Sequence, residues 1–270
     1  MTHPALSEAE AAIRAGSPRR ALPSLTQAVR AAPADPRLRV FLAQLLCVLG
    51  QWDRAHTQLN VAADMDPSTH PMREMVGHAL RCELMRAAVF QGRRSPMIFG
   101  QPDEWLALLI ESMLQAGQGQ HEQAQSLADR AFEAAPPSPG RLDGQPFAWL
   151  ADADSRLGPV LEAMINGRYY WLPFARLSRI TLEPPADLRD MVWLPAQLVF
   201  ANGGEAVAML PTRYPGTEAS EDDALLMARR TEWRSAGAER WFGLGQRILV
   251  SDQGEHDLLS LREIEFDGHG

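Results

Sequence analysis

The chain has 270 residues, 46% of them apolar, and a formal charge of −8. That length and apolar content exclude global disorder and a single simple helical bundle, leaving one large or two ordinary domains. The acidic balance argues against a nucleic-acid binder, which presents a basic face.

All 26 basic residues are arginine, a coding bias rather than a function. The acids are spread unevenly. Residues 1–140 hold 13 Arg and 14 acids, and residues 141–270 hold 13 Arg and 20 acids. The opening stretch MTHPALSEAEAAIRAG has acids where a signal peptide carries basic and then apolar residues. No apolar run reaches the roughly 18 to 20 residues needed to span a bilayer. A soluble cytoplasmic protein is expected, with no membrane and no nucleic-acid partner. Cys47 and Cys82 lie inside apolar helical pattern and read as buried free thiols.

From the N-terminus the chain repeats itself. GSPRRALPSLTQAVRAAPADP (16–36) aligns with GQWDRAHTQLNVAADMDPSTH (50–70). Gly16 and Gly50, Ala21 and Ala55, Leu25 and Leu59, Ala28 and Ala62, and Pro33 and Pro67 each differ by 34, the tetratricopeptide period. A third copy starts at Gly119, with Ala124, Ala131 and Pro136 at the same offsets, 69 residues past Gly50. That gap leaves room for one divergent repeat. Small alanines let antiparallel helices approach closely, and the prolines end each second helix. Asp35 and Pro36 cap and start the next helix, with Leu38, Phe41, Leu42, Leu45 and Leu49 on one stripe. Residues 72–90 form a long helical candidate. The segment QGRRSPMIFGQPDEW breaks it before WLALLIESMLQAG resumes, and that break reads as a structural loop. Stacked helix pairs make a groove suited to a segment of another protein, or a scaffold that positions the second half of the chain.

The expected organisation is a tetratricopeptide-like α-α superhelix over residues 1–137 and a linker over 138–146, Pro- and Gly-rich from Pro136 onward. A small, mainly antiparallel, barrel-like β unit then covers 147–270. Asn166-Gly167 sits between strand-compatible runs, a hairpin signal, with a helical reading of Leu157, Val160, Leu161 and Met164 in competition. Strands are predicted at 177–183, 191–200, 205–211, 247–251 and 258–266. One helix is predicted at 220–230 with Ser220 as its N-cap. The aromatic run Tyr169–Pro173 reads as core strand. Five of the seven tryptophans lie after residue 140, most as packing and one or two as exposed anchors.

Signs of catalysis are few. The histidines are scattered, and His70 and His78 do not make a zinc motif. No Walker loop or Gly-x-Ser-x-Gly elbow occurs. GLGQR (243–247) reads as a turn or bulge. DADSR (152–156) resembles the start of a cation loop but lacks the later glycine and glutamate. No catalytic, cofactor-binding or metal residue is assigned, and no cofactor is expected.

ADADSRLGPVLEAMINGRYYWLPF, LEPPADLRDMVWLPAQL, LPTRYPG, RRTEW and GLGQRILVSD…LLSLREIE together resemble the ImpE/TagJ family of type VI secretion accessory proteins, over about residues 147–266. The resemblance implies a cytoplasmic, non-enzymatic adaptor without cofactor. It implies binding to the N-terminal helical region of the small subunit of the contractile sheath. It also implies an indirect influence on how the AAA+ disassembly ATPase handles the sheath. Helical phase nominates Arg14, Arg37, Gln44 and Arg81 as groove residues. Two other readings stand beside this one: a hydrolase or transferase built on Glu183, Arg189, Arg213 and Tyr214, and an oligomeric scaffold whose acidic half contacts a basic partner.

Overall fold

A computed structural model describes residues 4–237 and 240–268; His3 and His269, two of the scattered histidines, lie outside them. Seven helices come first: α1 (Pro4–Arg14), α2 (Pro18–Ala31), α3 (Pro36–Val48), α4 (Trp52–Met65), α5 (His70–Phe90), α6 (Glu104–Gly117) and α7 (His121–Ala134). Three of the turns explain the repeat. Gly16, Gly50 and Gly119 hold φ of 77°, 67° and 78°, a left-handed conformation that costs any side chain. Each thereby folds one helix back on the next. The alanines expected at the seam, Ala21, Ala28, Ala55, Ala62, Ala124 and Ala131, are all buried. Asp35 accepts the Arg37 N–H at 2.9 Å and caps α3 as expected. α1 with α2, α3 with α4, and α6 with α7 are hairpins. The divergent repeat is instead the single 21-residue helix α5, followed by an extended loop.

The remainder is β1 (Gly140–Leu142), β2 (Gln145–Phe147), β3 (Leu150–Asp152), β4 (Val160–Ile165), β5 (Arg168–Pro173), β6 (Leu177–Leu182), β7 (Trp193–Phe200), β8 (Glu205–Pro211), the short helix α8 (Asp223–Leu226), β9 (Thr231–Ser235), β10 (Trp241–Gly245), β11 (Ile248–Ser251), β12 (Gly254–Asp257) and β13 (Glu263–Phe266). Eight strands form one sheet in the order β2-β1-β13-β6-β7-β8-β4-β5. Its end strands do not meet, so the sheet is open and not barrel-like. β12, β11 and β3 form a second sheet, and β9 pairs with β10.

Three expectations change in detail. Residues 138–146, read as linker, carry β1 and β2: Arg141 pairs with Glu265 across β13 and with Pro146 across β2. Their backbone donors are satisfied by the sheet, so composition misled. The helix at 220–230 shortens to α8, and its cap is Asp222, which accepts the Ala224 N–H at 2.7 Å. Ser220 instead accepts from Asp222 N–H at 3.1 Å. In the last predicted strand only β13 is extended; Leu258–Ser260 is a 3-10 turn.

The hairpin β4–β5 turns at Asn166 and Gly167, with φ of 49° and 72°, the pair of left-handed residues that a two-residue hairpin requires. Alternation then sorts side chains between two cores. Val160, Met164, Tyr169, Trp171 and Trp193 pack in one cluster with α3 and α5, while Leu161, Ala163, Ile165, Tyr170 and Leu172 pack in another with Leu249, Leu258 and Ile264. The opening of the sheet at β5 is covered by the loop after α5. Met97 donates to the Tyr169 carbonyl (3.2 Å) and accepts from Trp171 N–H (2.9 Å). Phe99 stacks on Tyr170 at 4.5 Å. The loop is structural, as expected, and it blunts an edge that would otherwise pair with other chains.

Candidate functional site

Two places concentrate chemistry, one inside the junction of helices and sheet and one on its surface. Inside, Arg86 leaves α5 and grips Glu162 of β4 with two hydrogen bonds, Nε to Oε1 at 2.6 Å and Nη2 to Oε2 at 3.0 Å. Its Nη2 also donates to the Arg213 carbonyl at 2.7 Å. Arg247 reaches the same Glu162 and also Asp152, and donates through Nε to the Pro211 carbonyl at 2.9 Å. Tyr169 donates to Glu162 at 2.5 Å and accepts from the Trp171 indole at 2.7 Å. Every one of these side chains is buried or nearly so.

Burial alone would raise Glu162, but the two guanidiniums outweigh it and hold the carboxyl at about 2. Asp152 has one guanidinium, Arg247, against its burial and the neighbouring Asp154, and rises to about 6. Burial, with Glu162 close by, pushes Tyr169 well above its ordinary value. Glu162 is thus a paired, fully bonded carboxylate with no lone proton to give. Asp154 spends its oxygens on Arg156 and on the Arg156 and Gly243 N–H groups, so DADSR is an ion-pairing and turn motif. Gly243 is obligatory there, since a Cβ would lie 2.2 Å from the Tyr214 ring.

The four residues nominated for a hydrolase do not converge. Glu183 is exposed. Arg189 pairs with Asp187 (3.1 Å) and Asp190 (3.4 Å) around the 3-10 turn Leu188–Met191. Arg213 is buried and donates to the carbonyls of Val48 (2.8 Å) and Leu226 (2.6 Å), a cation at the C-terminus of α3; burial brings its pKa down to about 10. Tyr214 anchors its hydroxyl between Asp152 and Ile248. Cys47 and Cys82 are free and buried, and burial pushes Cys47 up to about 12. Among the described residues no cluster of His, Cys, Asp and Glu is arranged to hold a metal.

On the surface, α5 is longer than its neighbour α4 by seven residues (21 against 14). A furrow lies along α5 where it passes the first turns of α4. A cavity of ≈ 450 Å³ is lined by Trp52, His56, Gly77, Leu80, Arg81 and Leu84. A second cavity, of ≈ 260 Å³, shares Trp52 and Leu84 with it and is lined also by Arg86, Ala87, Gln91 and Glu218. Leu84 is 70% exposed. Of the nominated groove residues only Arg81 lines this furrow. Arg14 ends α1, Arg37 begins α3, and Gln44 is half-buried in mid-α3. On α3, part of the face assumed free is occupied. The Leu188–Met191 turn packs on α3, and Leu188, Met191 and Trp193 share its core. Trp149 (40%) and Trp241 (47%) are exposed; Trp171 and Trp193 are fully buried.

This architecture has known counterparts. The ImpE protein family matches residues 144–265, and a tetratricopeptide repeat family matches residues 12–75. The type VI secretion system accessory component TagJ of Pseudomonas aeruginosa is 49% identical over 259 residues, 96% of this chain and 91% of that protein. The chain belongs to the ImpE/TagJ family. An X-ray crystal structure of a Vibrio parahaemolyticus protein superposes with a TM-score of 0.86 at 25% identity, over 96% of this chain and 97% of that one. The fold class expected from the sequence, helical repeats followed by an antiparallel sheet unit, holds for this family member. Among the described residues no helix is long and apolar enough to cross a membrane.

The residues that sequence reading missed are Arg86, Glu162 and Arg247 in the junction and Trp52 and Leu84 in the furrow. A signal existed for two of them. Arg86 in LMRAAVF and Glu162 in VLEAMI are lone charges inside apolar runs, and such charges are buried only when paired.

Proposed function

We propose that the protein is a non-enzymatic, cytoplasmic adaptor of a type VI secretion system. It binds the N-terminal helical region of the small contractile-sheath subunit and so alters how the AAA+ disassembly ATPase handles the sheath. The observation that carries the reading is the open furrow beside α5, with an exposed leucine on a stack of helical repeats whose commonest use is to hold another protein's segment. The relation to an accessory component supports the setting. The buried junction supports the absence of catalysis, because its carboxylates and arginines satisfy one another and hold the sheet unit onto α5.

Titration of a fluorescent peptide from the sheath subunit's N-terminal region into the full chain tests the reading. Saturable binding at about tens of micromolar or tighter is expected, a scale typical of transient assemblies. No binding in that range overturns the partner assignment.

A further inference from the structure

The furrow has a register. Gly77, Leu80, Leu84, Ala87 and Gln91 are spaced 3, 4, 3 and 4 along α5 and its C-cap, and each lines one or both of two neighbouring cavities that share Trp52 and Leu84. That is the a/d spacing of a coiled-coil seam. At about 100° per residue Leu84 lies on the side of α5 away from Cys82, Arg86 and Val89, which are buried. Leu84, at the centre of the stripe, is 70% exposed, whereas Gly77 is buried beside His56 and Leu80 packs at the edge of the core. The stripe is also on the one helix of the repeats without a hairpin partner. Every other helix up to α7 belongs to a hairpin, and α5 alone does not.

Charge says what would cover it. Arg73 and Arg86 on α5 pair with Glu74 and Glu83, whereas Arg81, beside the seam, has no ion-pair partner among the described residues. The cavity at this end holds two arginines, Arg54 and Arg81, against one acid, Asp53. Gly77 and Ala87 leave room for a second backbone to approach, and Leu80, Leu84 and Trp52 supply apolar surface. From Gly77 to Gln91 the seam is about 21 Å long at ~1.5 Å per residue.

Building on the proposed adaptor role, we infer that this seam seats one amphipathic helix of a partner protein. That helix has about four turns, an apolar 3–4 stripe and an acidic residue against Arg81. The incoming helix buries Leu84 between Leu80 and Ala87, and its acid sets register and orientation.

Two labelled peptides test this on the full chain: the sheath subunit's N-terminal peptide, and a designed helix with leucines at its a and d positions and glutamates on the flank. Leu84→Asp should weaken whichever peptide binds by about tenfold or more, since it puts a charge at the centre of the contact. Circular dichroism and the urea midpoint should stay unchanged, because Leu84 is exposed. Arg81→Glu should weaken binding by about three- to tenfold at low salt. A designed helix with arginine for glutamate should recover it. A sheath peptide that binds wild type and Leu84→Asp equally overturns the seam and leaves the adaptor role standing. A designed helix that binds in a Leu84-dependent way while the sheath peptide fails keeps the seam and removes the sheath subunit. Failure of both peptides overturns both.

Discussion

Leu84 and Arg86 sit two residues apart on α5 and face nearly opposite ways. Arg86 turns inward to Glu162, where every hydrogen-bonding atom of the carboxylate is used and water is excluded by packing. Leu84 turns outward, an apolar side chain left in water at the mouth of a furrow. The inner face trades charge for position: burying ions costs more than it returns unless the geometry is complete, but it fixes α5 on β4 in one arrangement. The outer face leaves stabilisation unrealised. A free chain gains nothing from an exposed leucine, so its effect should surface only with a partner. One helix thus joins the two regions with opposite sensitivities.

The sharpest way to break that contrast is at Glu162. Glu162→Gln leaves Arg86 and Arg247 buried without their shared counter-charge, and the stability lost should be about 3–5 kcal/mol by urea unfolding. A loss under about 1 kcal/mol would mean that water or other carboxylates replace it. Next in size is the pH response of Asp152. Its value rises from 3.8 to about 6 in the folded protein, so folding favours the protonated form. That contribution is complete below pH 3.8 and is lost as pH rises through 6. Relative to Asp152→Asn, the wild type should lose about 2–2.5 kcal/mol between pH 4 and pH 7. Glu162 has the opposite sign: its value falls from 4.5 to about 2, so its contribution holds above pH 4.5 and disappears only as pH falls through 2. A stability difference between wild type and Asp152→Asn that is flat from pH 4 to 7 would make Asp152 an ordinary ionised partner of Arg247.

Much of this is legible in the sequence. The 34-residue offsets encode the left-handed glycines and alanine seams, and the motifs from Ala151 to Glu265 carry the family. The illegible part depends on long-range geometry. Arg86 and Glu162 are 76 residues apart in sequence, and no local pattern pairs them. The composition of 138–146 speaks of linker because a short edge hairpin needs turn residues more than apolar ones. Repeat logic places the groove on the first helices, and it cannot foresee that the Leu188–Met191 turn folds onto α3. It also misses that α5 outruns α4.

The repeat glycines sharpen the comparison on a smaller scale, because equivalent positions differ in what surrounds them. Gly119 has open space where a Cβ would stand, so Gly119→Ala should cost only the left-handed backbone penalty, about 1–2 kcal/mol. At Gly50 an added Cβ would also lie 2.6 Å from the Glu218 Cβ, where the helices meet the Pro215–Glu218 turn. Gly50→Ala should therefore cost about 1 kcal/mol more and loosen the far wall of the furrow. Equal losses at the two sites would mean that the turn yields freely.

Smallest of all should be Leu84→Ala in the free protein. At 70% exposure the side chain gives up little burial, and the urea midpoint should move by no more than the equivalent of about 0.5 kcal/mol. The value of this near-zero result lies in its pairing with Glu162→Gln. If the Leu84 substitution costs about 2 kcal/mol or more, the outer face of α5 is already covered within the free protein and the two faces are alike. If it costs nothing while peptide affinity falls, α5 is held by one face and used by the other. Stability and binding would then be mutable independently along a single helix.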